Sequence, residues 1–298
     1  MRMDEFYGKC KLKSGLNLGD HMKALEKCFT QTLPDETPGV GMLVIPDDGW
    51  CIIRVDGRAF HMYTRAFKNR ETAFSDIITG AMDNAAYALM EEFRAALVYS
   101  QSDEITIVIE PGKVPFSGKT HKLNSIAASV ASVHFNAYVN SRDDAPDARN
   151  PSFALFDARS YAVSRDEAAA TVLWRQLDGI KNSISAVAYT KFSQNALNGK
   201  NSGERISMLA DAGVDWHSFA YRVKYGLFLK RERKEIGIKD LAGMNEKARQ
   251  SIMEKDGVVT RSVVNVKHYR PLNTVSNLAG MLFDGEEPEL KEATDDGI

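Results

Sequence analysis

The sequence WCIIRVDGRAFH at residues 50–61 places an acidic residue, Asp56, directly after a run of apolar, β-forming side chains. A second segment, YSQSDEITIVI at residues 99–109, places Asp103 and Glu104 directly before another such run. Short apolar runs bounded by turn signals are typical of buried strands. We therefore predict that Asp56 and Asp103 lie at the ends of two strands.

Two helical patterns accompany these runs. Residues 72–97 carry apolar side chains at spacings of four, and residues 119–140 form a second amphipathic segment. A further strand is expected at residues 153–156. The order strand–helix–strand–strand–helix–strand matches a split β-α-β unit, in which the strands carrying Asp56 and Asp103 are neighbours. The predicted fold class is α+β, a ferredoxin-like antiparallel sheet backed by helices, with smaller C-terminal elements.

Two neighbouring carboxylates have a distinct chemistry. They repel each other, so each resists ionisation unless a cation neutralises them. Mg²⁺ is held by one or two carboxylates plus substrate phosphates, and paired ions clamp the attacking and leaving oxygens of a displacement. Asp56 and Asp103 therefore predict a metal site for phosphoryl or nucleotidyl transfer. The structural alternative is a plain turn at Asp56 and Gly57, since Asp-Gly is a common turn signal.

Four motifs carry a resemblance to a known family. They are DGRAFH at 56–61, QSDE at 101–104, FDAR at 156–159 and WRQLD at 174–178. Their order and spacing resemble the tRNA(His) guanylyltransferase family and its bacterial-type relatives, from about residue 18 to about residue 231. The resemblance implies a polymerase-like palm domain and a reverse, 3′-to-5′ nucleotidyltransferase that extends the 5′ end of tRNA or a related RNA.

The resemblance also implies substrates, cofactors and assembly. Two Mg²⁺ ions would act with GTP as the added nucleotide. The RNA 5′ end would be activated by ATP or carry a triphosphate already. The family further implies a homotetramer that binds the RNA across subunits.

Individual residues receive roles from the same resemblance. Asp56, Asp103 and the carbonyl of Gly57 would be metal ligands, and Glu104 would complete the catalytic acidic group. Strand alternation, however, turns Glu104 away from Asp103, which leaves a supporting role open. The nucleotide-binding positions would be Gly57, Arg58, Ala59, Phe60, His61, Ser102, Lys119, Lys122, Asp178, Lys181 and Asn182.

Several of these positions have a structural alternative. Phe60 is equally suited to the core, and Lys119 and Lys122 to a solvated helix start. Lys181 and Asn182 stand where the eukaryotic enzymes carry a His-Ile-Asn-Asn run, and they resemble the bacterial-type relatives better. This departure favours tRNA 5′-end repair over strict specificity for tRNA(His).

Two other functions remain open from the sequence. A palm-fold nucleotide cyclase would share the two aspartates, although the hairpin motif of diguanylate cyclases is absent. A catalytically silent RNA-binding protein on the same fold would have no need of a costly carboxylate pair. Nucleotide incorporation separates both from the polymerase interpretation.

Composition narrows the class of protein. The 298 residues carry 38 basic and 40 acidic side chains, for a net charge of −2, so an RNA surface has to be local. One local cluster contains Lys230, Arg231, Arg233 and Lys234, which suits either RNA phosphates or a solvated face. Three cysteines without a framework and no long apolar run predict a cytoplasmic protein without a membrane span.

The chain divides into five expected segments. Residues 1–17 form a flexible start, 18–160 the catalytic palm, and 161–235 a helical and strand region that completes it. Residues 236–283 form a C-terminal extension, and 284–298 an acidic, disordered tail. A capping box at Ser164 predicts a helix to about residue 176, followed by another over 179–195.

Overall fold

The computed structural model describes residues 17–30, 44–67, 73–146, 152–237 and 258–291. At its centre lies a six-stranded antiparallel sheet with the order β4-β1-β3-β2-β5-β6. The strands are β1 Trp50–Gly57, β2 Leu97–Gln101, β3 Glu104–Ile109, β4 Phe156–Val163, β5 Leu227–Gly237 and β6 Val258–Lys267. The first four strands have the 4-1-3-2 order of a ferredoxin-like unit, which confirms the predicted fold class.

Helices pack against this sheet. Helices α3 and α4 are the crossover connections of the ferredoxin-like unit and pack against each other, while α1 packs against β4 and α5. The α-helices are α1 Leu18–Thr30, α2 Phe60–Tyr63, α3 Asp76–Glu92, α4 Thr120–Asn140, α5 Arg165–Lys191, α6 Gln194–Leu197, α7 Ser202–Asp211 and α8 Tyr221–Tyr225. Short 3₁₀ turns cover Thr64–Phe67, Phe116–Gly118, Trp216–Ser218 and Leu272–Thr274, and a π-helical turn covers Gly280–Asp284.

The two apolar runs of the sequence form the middle of the core. Residues 51–53 of β1 and 105–109 of β3 are buried, including the free thiol of Cys51. Central strands flanked by elements on both faces need such continuous apolar runs. The polar ends of the same strands, at Asp56 and Glu104, therefore lie together at one end of the sheet, where these strands stop.

Helix α5 corrects one expectation. The capping box is present, with Ser164 Oγ accepting from the N–H of Glu167, but a single helix continues to Lys191 instead of two helices. Gly179 lies inside this helix without breaking it. Its lack of a side chain lets the helix pack closely on β2. A Cβ at Gly179 would lie 2.6 Å from Cγ of Gln101.

Segment boundaries also differ from expectation. β4 begins at Phe156 and ends at Val163, so the expected strand at 153–156 lies too early and residue 160 falls inside a strand. The acidic segment was expected to be disordered from residue 284. Residues 284–291 are instead held by backbone pairing, including Lys291 N–H to Thr274 O at 2.9 Å. The segments 1–16, 238–257 and 292–298 lie outside the described residues.

Candidate active site

Asp56 lies at the end of β1 in a row of acidic residues that crosses three strands. Its Cα partner on β3 is Glu104, and its partner on β4 is Asp157. Directly paired residues of antiparallel strands place their side chains on the same face, so the three carboxylates are neighbours. Asp56 is half-buried, and it has no hydrogen bond or ion pair to a side chain within the described ranges.

The hairpin between β2 and β3 brings Asp103 to the same end of the sheet. The two-residue turn consists of Ser102, with φ 55°, and Asp103. The N–H of Gly57 donates to the carbonyl of Asp103 at 3.1 Å, which ties the turn to the end of β1. Ser102 Oγ donates to Asp103 Oδ1 at 3.1 Å. The predicted meeting of the two strand ends is therefore present in the structure.

Burial, together with nearby carboxylates, raises the pKa values of Asp56 and Asp103. Partial burial, followed by repulsion from Asp103, Glu104 and Asp157, raises the pKa of Asp56 to about 6. Burial likewise raises the pKa of Asp103, against the hydrogen bonds that it accepts. Without a bound cation the site therefore resists holding its negative charges.

Glu104 has a different environment from Asp103. Its carboxylate accepts from Arg54 at 3.2 Å and forms an ion pair with Arg175. The two guanidinium groups lie against the ring of Trp174, at 5.0 and 4.7 Å from its centroid. Glu104 is thus held in place by two cations, which favours the supporting role over direct chemistry.

A cleft of about 350 Å³ opens beside Asp103. A volume of this size falls within the usual range of small-molecule sites. The α2 region, the start of α3, the hairpin turn, α5 and α8 contribute to its lining, which includes Phe60, His61, Phe74, Ser75, Thr79, Ser102, Asp103, Asn182, Ser183 and Arg222. A space of small-molecule size therefore adjoins Asp103.

The loop after β1 places its residues in different ways. Phe60 is buried against Tyr63, Phe135 and Phe156, so its ring belongs to the core. Ala59, with φ 49°, and His61 are exposed at the start of α2, where N–H groups have no intrahelical acceptor. Arg58 is exposed, and its N–H donates to Leu155 O at 2.8 Å.

Packing by itself requires a glycine at position 57, whether or not a ligand binds there. A Cβ at this position would lie 2.5 Å from Cδ2 of Phe60. The chain stays extended through Gly57 as the last residue of β1, so an Asp-Gly turn is not the explanation for this dipeptide.

Lys119 and Lys122 are not brought to the carboxylates. β3 runs away from the site from Glu104 to Ile109, and α4 therefore begins at the opposite end of the sheet. Lys119 forms a bridge with Val44, six residues before β1 begins at Trp50. The direction of β3 therefore separates these lysines from Asp56 within the chain, and their contact with a triphosphate stays a prediction.

The predicted positions Asp178, Lys181 and Asn182 form a polar stripe on α5, and the structure places its members differently. Asp178 accepts from Arg175 at 2.9 Å, and that pairing directs it to the ion-pair network around Glu104. Asn182 lines the cleft beside Asp103. Lys181 is exposed and does not line the cleft. Of the stripe, Asn182 is the residue that the structure places at the ligand space.

Sequence reasoning missed several neighbours of the site. Asp157 lies in the FDAR motif, and its register opposite Asp56 was the available signal. Arg54 is a second such neighbour. An arginine inside an apolar strand needs a buried partner, and Glu26 provides it at 2.7 Å. Arg222 reaches Asp83 and Gln101 inside the fold and also lines the cleft beside Asp103.

The donor set fits Mg²⁺ in kind. Asp56 and Asp103 offer two carboxylates that have no ion pair within the described residues, and Mg²⁺ ordinarily needs no more than one or two protein carboxylates. No group of three His, Cys, Asp or Glu side chains forms a ready-made metal site in the described part of the chain.

No described helix is both long enough and apolar enough to cross a membrane.

Comparisons with known proteins agree with the fold and with the motifs. The sequence model of the tRNAHis guanylyltransferase family (Thg1) matches residues 42–164. A probable tRNA(His) guanylyltransferase of Drosophila melanogaster is 26% identical over 217 residues, which cover 68% of this chain and 72% of that protein. The tRNA(His) guanylyltransferase of Debaryomyces hansenii is 27% identical over 199 residues, 62% of this chain and 74% of the relative.

Solved structures show the same fold. A bacterial tRNA(His) guanylyltransferase-like protein in complex with ATP has a TM-score of 0.59 at 24% identity, covering 86% of this chain and 94% of its own. The tRNA(His) guanylyltransferase of Saccharomyces cerevisiae has a TM-score of 0.58 at 17% identity, covering 64% and 90%. Residues 42–164 of this chain therefore match the tRNA(His) guanylyltransferase family, a family of nucleotidyltransferases, and most of the chain shares the fold of these solved structures.

Proposed function

We propose that this protein is a Mg²⁺-dependent 3′-to-5′ nucleotidyltransferase that adds a GTP-derived nucleotide to the 5′ end of tRNA or a related RNA. The RNA end is activated by ATP or carries a triphosphate already. One observation carries the proposal: Asp56 and Asp103 meet at one strand end, joined through the Gly57 N–H, beside a cleft of about 350 Å³.

The residues at this edge suit two metal ions. Asp56, Asp103 and the carbonyl of Gly57 would hold them, since these oxygens lie at adjacent strand ends. Bound Mg²⁺ lowers the pKa of an attacking hydroxyl and neutralises the charge of a triphosphate. Glu104, fixed by Arg54 and Arg175, keeps the hairpin end in register with β1.

The cleft is suited to the nucleotide. His61 and Asn182 provide polar groups, and Phe74 an aromatic ring, at a space that also reaches Asp103. A bacterial tRNA(His) guanylyltransferase-like protein in complex with GTP has a TM-score of 0.55 at 25% identity, covering 85% of this chain and 92% of that one, which supports nucleotide binding on this fold. The residues at 181–182 favour a repair-type enzyme.

The test is a gel assay with a 5′-truncated, 5′-triphosphorylated tRNA, labelled GTP and Mg²⁺. The parent protein should extend the 5′ end, and Asp56→Asn and Asp103→Asn should each lose extension by at least about 100-fold, as expected for loss of metal-ion catalysis. Asp211→Asn, on α7, is the control and should keep parent activity.

Three outcomes would contradict the proposal. Extension at the 3′ end would refute the direction. A cyclic nucleotide product would favour the cyclase. Tight tRNA binding without incorporation of any nucleotide would identify a silent RNA-binding protein.

A further inference from the structure

A second cleft lies at the opposite end of the sheet from Asp56. β5 and β6 pair along their whole length, but β2 pairs with β5 only as far as Lys230. The ribbon beyond Lys230 overhangs the sheet, and a cleft of about 1140 Å³ lies between it, the C-terminal end of α3 and the loop after β3. At about 3.3 Å per strand residue, Lys234 lies roughly 20 Å along β5 from the active-site end.

The cleft has an excess of positive charge. Its basic residues are Arg94, Lys113, Lys230, Arg231, Arg233 and Lys234, and its acidic residues are Glu91, Glu110, Glu232 and Asp284. Each acidic residue already has a cationic partner: Arg231 for Glu91, Lys113 for Glu110, Lys267 for Glu232 and Arg165 for Asp284. Arg94, Arg233 and Lys234 have no ion pair within the described ranges.

Lys230 adds a buried charge to the wall of the cleft. Only 5% of this residue is exposed, and its Nζ donates to the carbonyl of Met281 at 2.9 Å. A buried ammonium with only a neutral acceptor at hydrogen-bond distance is costly, and burial lowers its pKa accordingly. An anion in the cleft would compensate this charge.

Arg94 occupies a position that ordinarily belongs to glycine. It follows Phe93, the C-cap residue of α3, and has φ 45°, and the N–H of the next residue, Ala95, donates back to Met90 O at 3.1 Å. Glycine is usual in this left-handed position, because other L-residues are strained there. A helix C-terminus favours a cation. An anion in the cleft would be a second reason for an arginine at this position.

We propose that this cleft binds backbone phosphates of the RNA at a distance from the end that reacts. The inference rests on the proposed function, because the RNA end is then held at Asp56 and Asp103. Arginine and lysine bind phosphate oxygens whatever the base sequence, so the contact supplies affinity and register rather than specificity. An overall charge of −2 makes such a local concentration of cations necessary.

The experiment compares two double variants with the same loss of charge. Arg233→Gln/Lys234→Gln alters the cleft, and Lys191→Gln/Lys200→Gln alters exposed positions on other elements. Binding of a full-length tRNA is measured by fluorescence anisotropy across a salt series. The cleft variant should bind about tenfold more weakly, and its salt slope should fall by about two. The control should match the parent.

Three further arms locate the contact. An RNA stem of about four base pairs, too short at roughly 3.4 Å per nucleotide to span 20 Å, should bind all three proteins alike. Arg233→Lys/Lys234→Arg should restore tRNA affinity. Arg94→Asn, which tolerates the left-handed backbone, should weaken tRNA binding in the same direction from outside the ribbon.

The outcomes separate the two proposals. If the parent extends and binds tRNA while the cleft variant, folded by its melting curve, binds equally well, the cleft inference is overturned and the proposed function stands. Equal losses in the cleft and control variants also overturn it. A parent that binds no RNA overturns both.

Discussion

At the residue scale, the charge of Asp56 is the feature on which the candidate chemistry depends. Asp56 is half-buried, faces Glu104 and Asp157 across the strands, and lacks an ion pair in the described structure. Arg54 lies two residues earlier in β1 on the same face, and it forms ion pairs with Glu26 and Glu104. The fold thus compensates the arginine and leaves the aspartate available for a cation.

Asp56→Asn should stabilise the metal-free protein while it abolishes nucleotide addition. The pKa of Asp56 is raised from an ordinary value near 3.8 to about 6, so the folded state binds the proton more tightly than the unfolded state. Stability of the metal-free parent should therefore fall as pH rises through this window, and the asparagine removes that contribution. At pH 7.5 we expect a melting temperature higher by on the order of 2 °C.

Mg²⁺ provides the matched comparison for this prediction. It should raise the melting temperature of the parent and have a smaller effect on Asp56→Asn, because ligands stabilise the state that binds them. A less stable Asp56→Asn, or an equal Mg²⁺ response of the two proteins, would show that Asp56 is a structural residue.

Gly57→Ala should destabilise the protein by about 1–3 kcal/mol. The new methyl group would lie 2.5 Å from the ring of Phe60, which packs among Tyr63, Phe135 and Phe156 and has little room to move. Urea denaturation measures the loss. Adding Phe60→Leu should recover part of it, and no recovery would place the strain elsewhere.

At the element scale, helix α5 joins the two halves of the site. Arg175 and Asp178 serve the ion-pair network around Glu104, while Asn182 reaches the cleft one turn later. Gly179 lies between them and lets the helix approach β2. The position of this one helix therefore couples the hairpin end to the nucleotide space.

Gly179→Ala should lower stability by about 1–3 kcal/mol, although alanine is the better helix former by roughly 1 kcal/mol. The methyl group would lie 2.6 Å from Cγ of Gln101 and 2.8 Å from Oη of Tyr99. Because Gln101 precedes the turn with Asp103, nucleotide addition should also fall. Urea denaturation and the extension assay measure the two effects.

Gln101→Ala is the partner variant for this prediction. In that background Gly179→Ala should cost less than it does in the parent, since the closest contact is gone. A Gly179→Ala protein as stable as the parent would mean that α5 shifts freely over β2.

At the scale of the whole molecule, Arg222 connects three parts of the chain. From α8 its guanidinium donates to Asp83 of α3 at 2.8 Å and to Gln101 of β2 at 2.9 Å. Gln101 returns a hydrogen bond to Val223 O at 2.9 Å. The hairpin that carries Asp103 is thereby fixed to a helix that arrives more than a hundred residues later.

Arg222→Lys should keep the charge and lose the connection. A lysine cannot reproduce the planar fork that reaches Asp83 and Gln101 together. We expect a loss of about 1–3 kcal/mol in stability and a lower rate of nucleotide addition, measured by urea denaturation and by the extension assay. Lys224→Gln, on the same short helix, is the control and should keep activity. Parent-like behaviour of Arg222→Lys would remove the bracing role.

The sequence by itself determined the ferredoxin-like order, the meeting of Asp56 with Asp103, and the resemblance to the tRNA(His) guanylyltransferase family. These follow from local features, because apolar strand runs, helical periodicity and acidic residues at strand ends are read within short windows.

The tertiary structure alone decided which charges are satisfied and which remain available. The direction of β3 separated Lys119 and Lys122 from the carboxylates. The pairing register placed Asp157 beside Asp56, and the packing of α5 gave Glu104 to Arg54 and Arg175. The overhanging ribbon formed the basic cleft. Each of these depends on contacts between residues far apart in the chain, for which a single sequence contains no local signal.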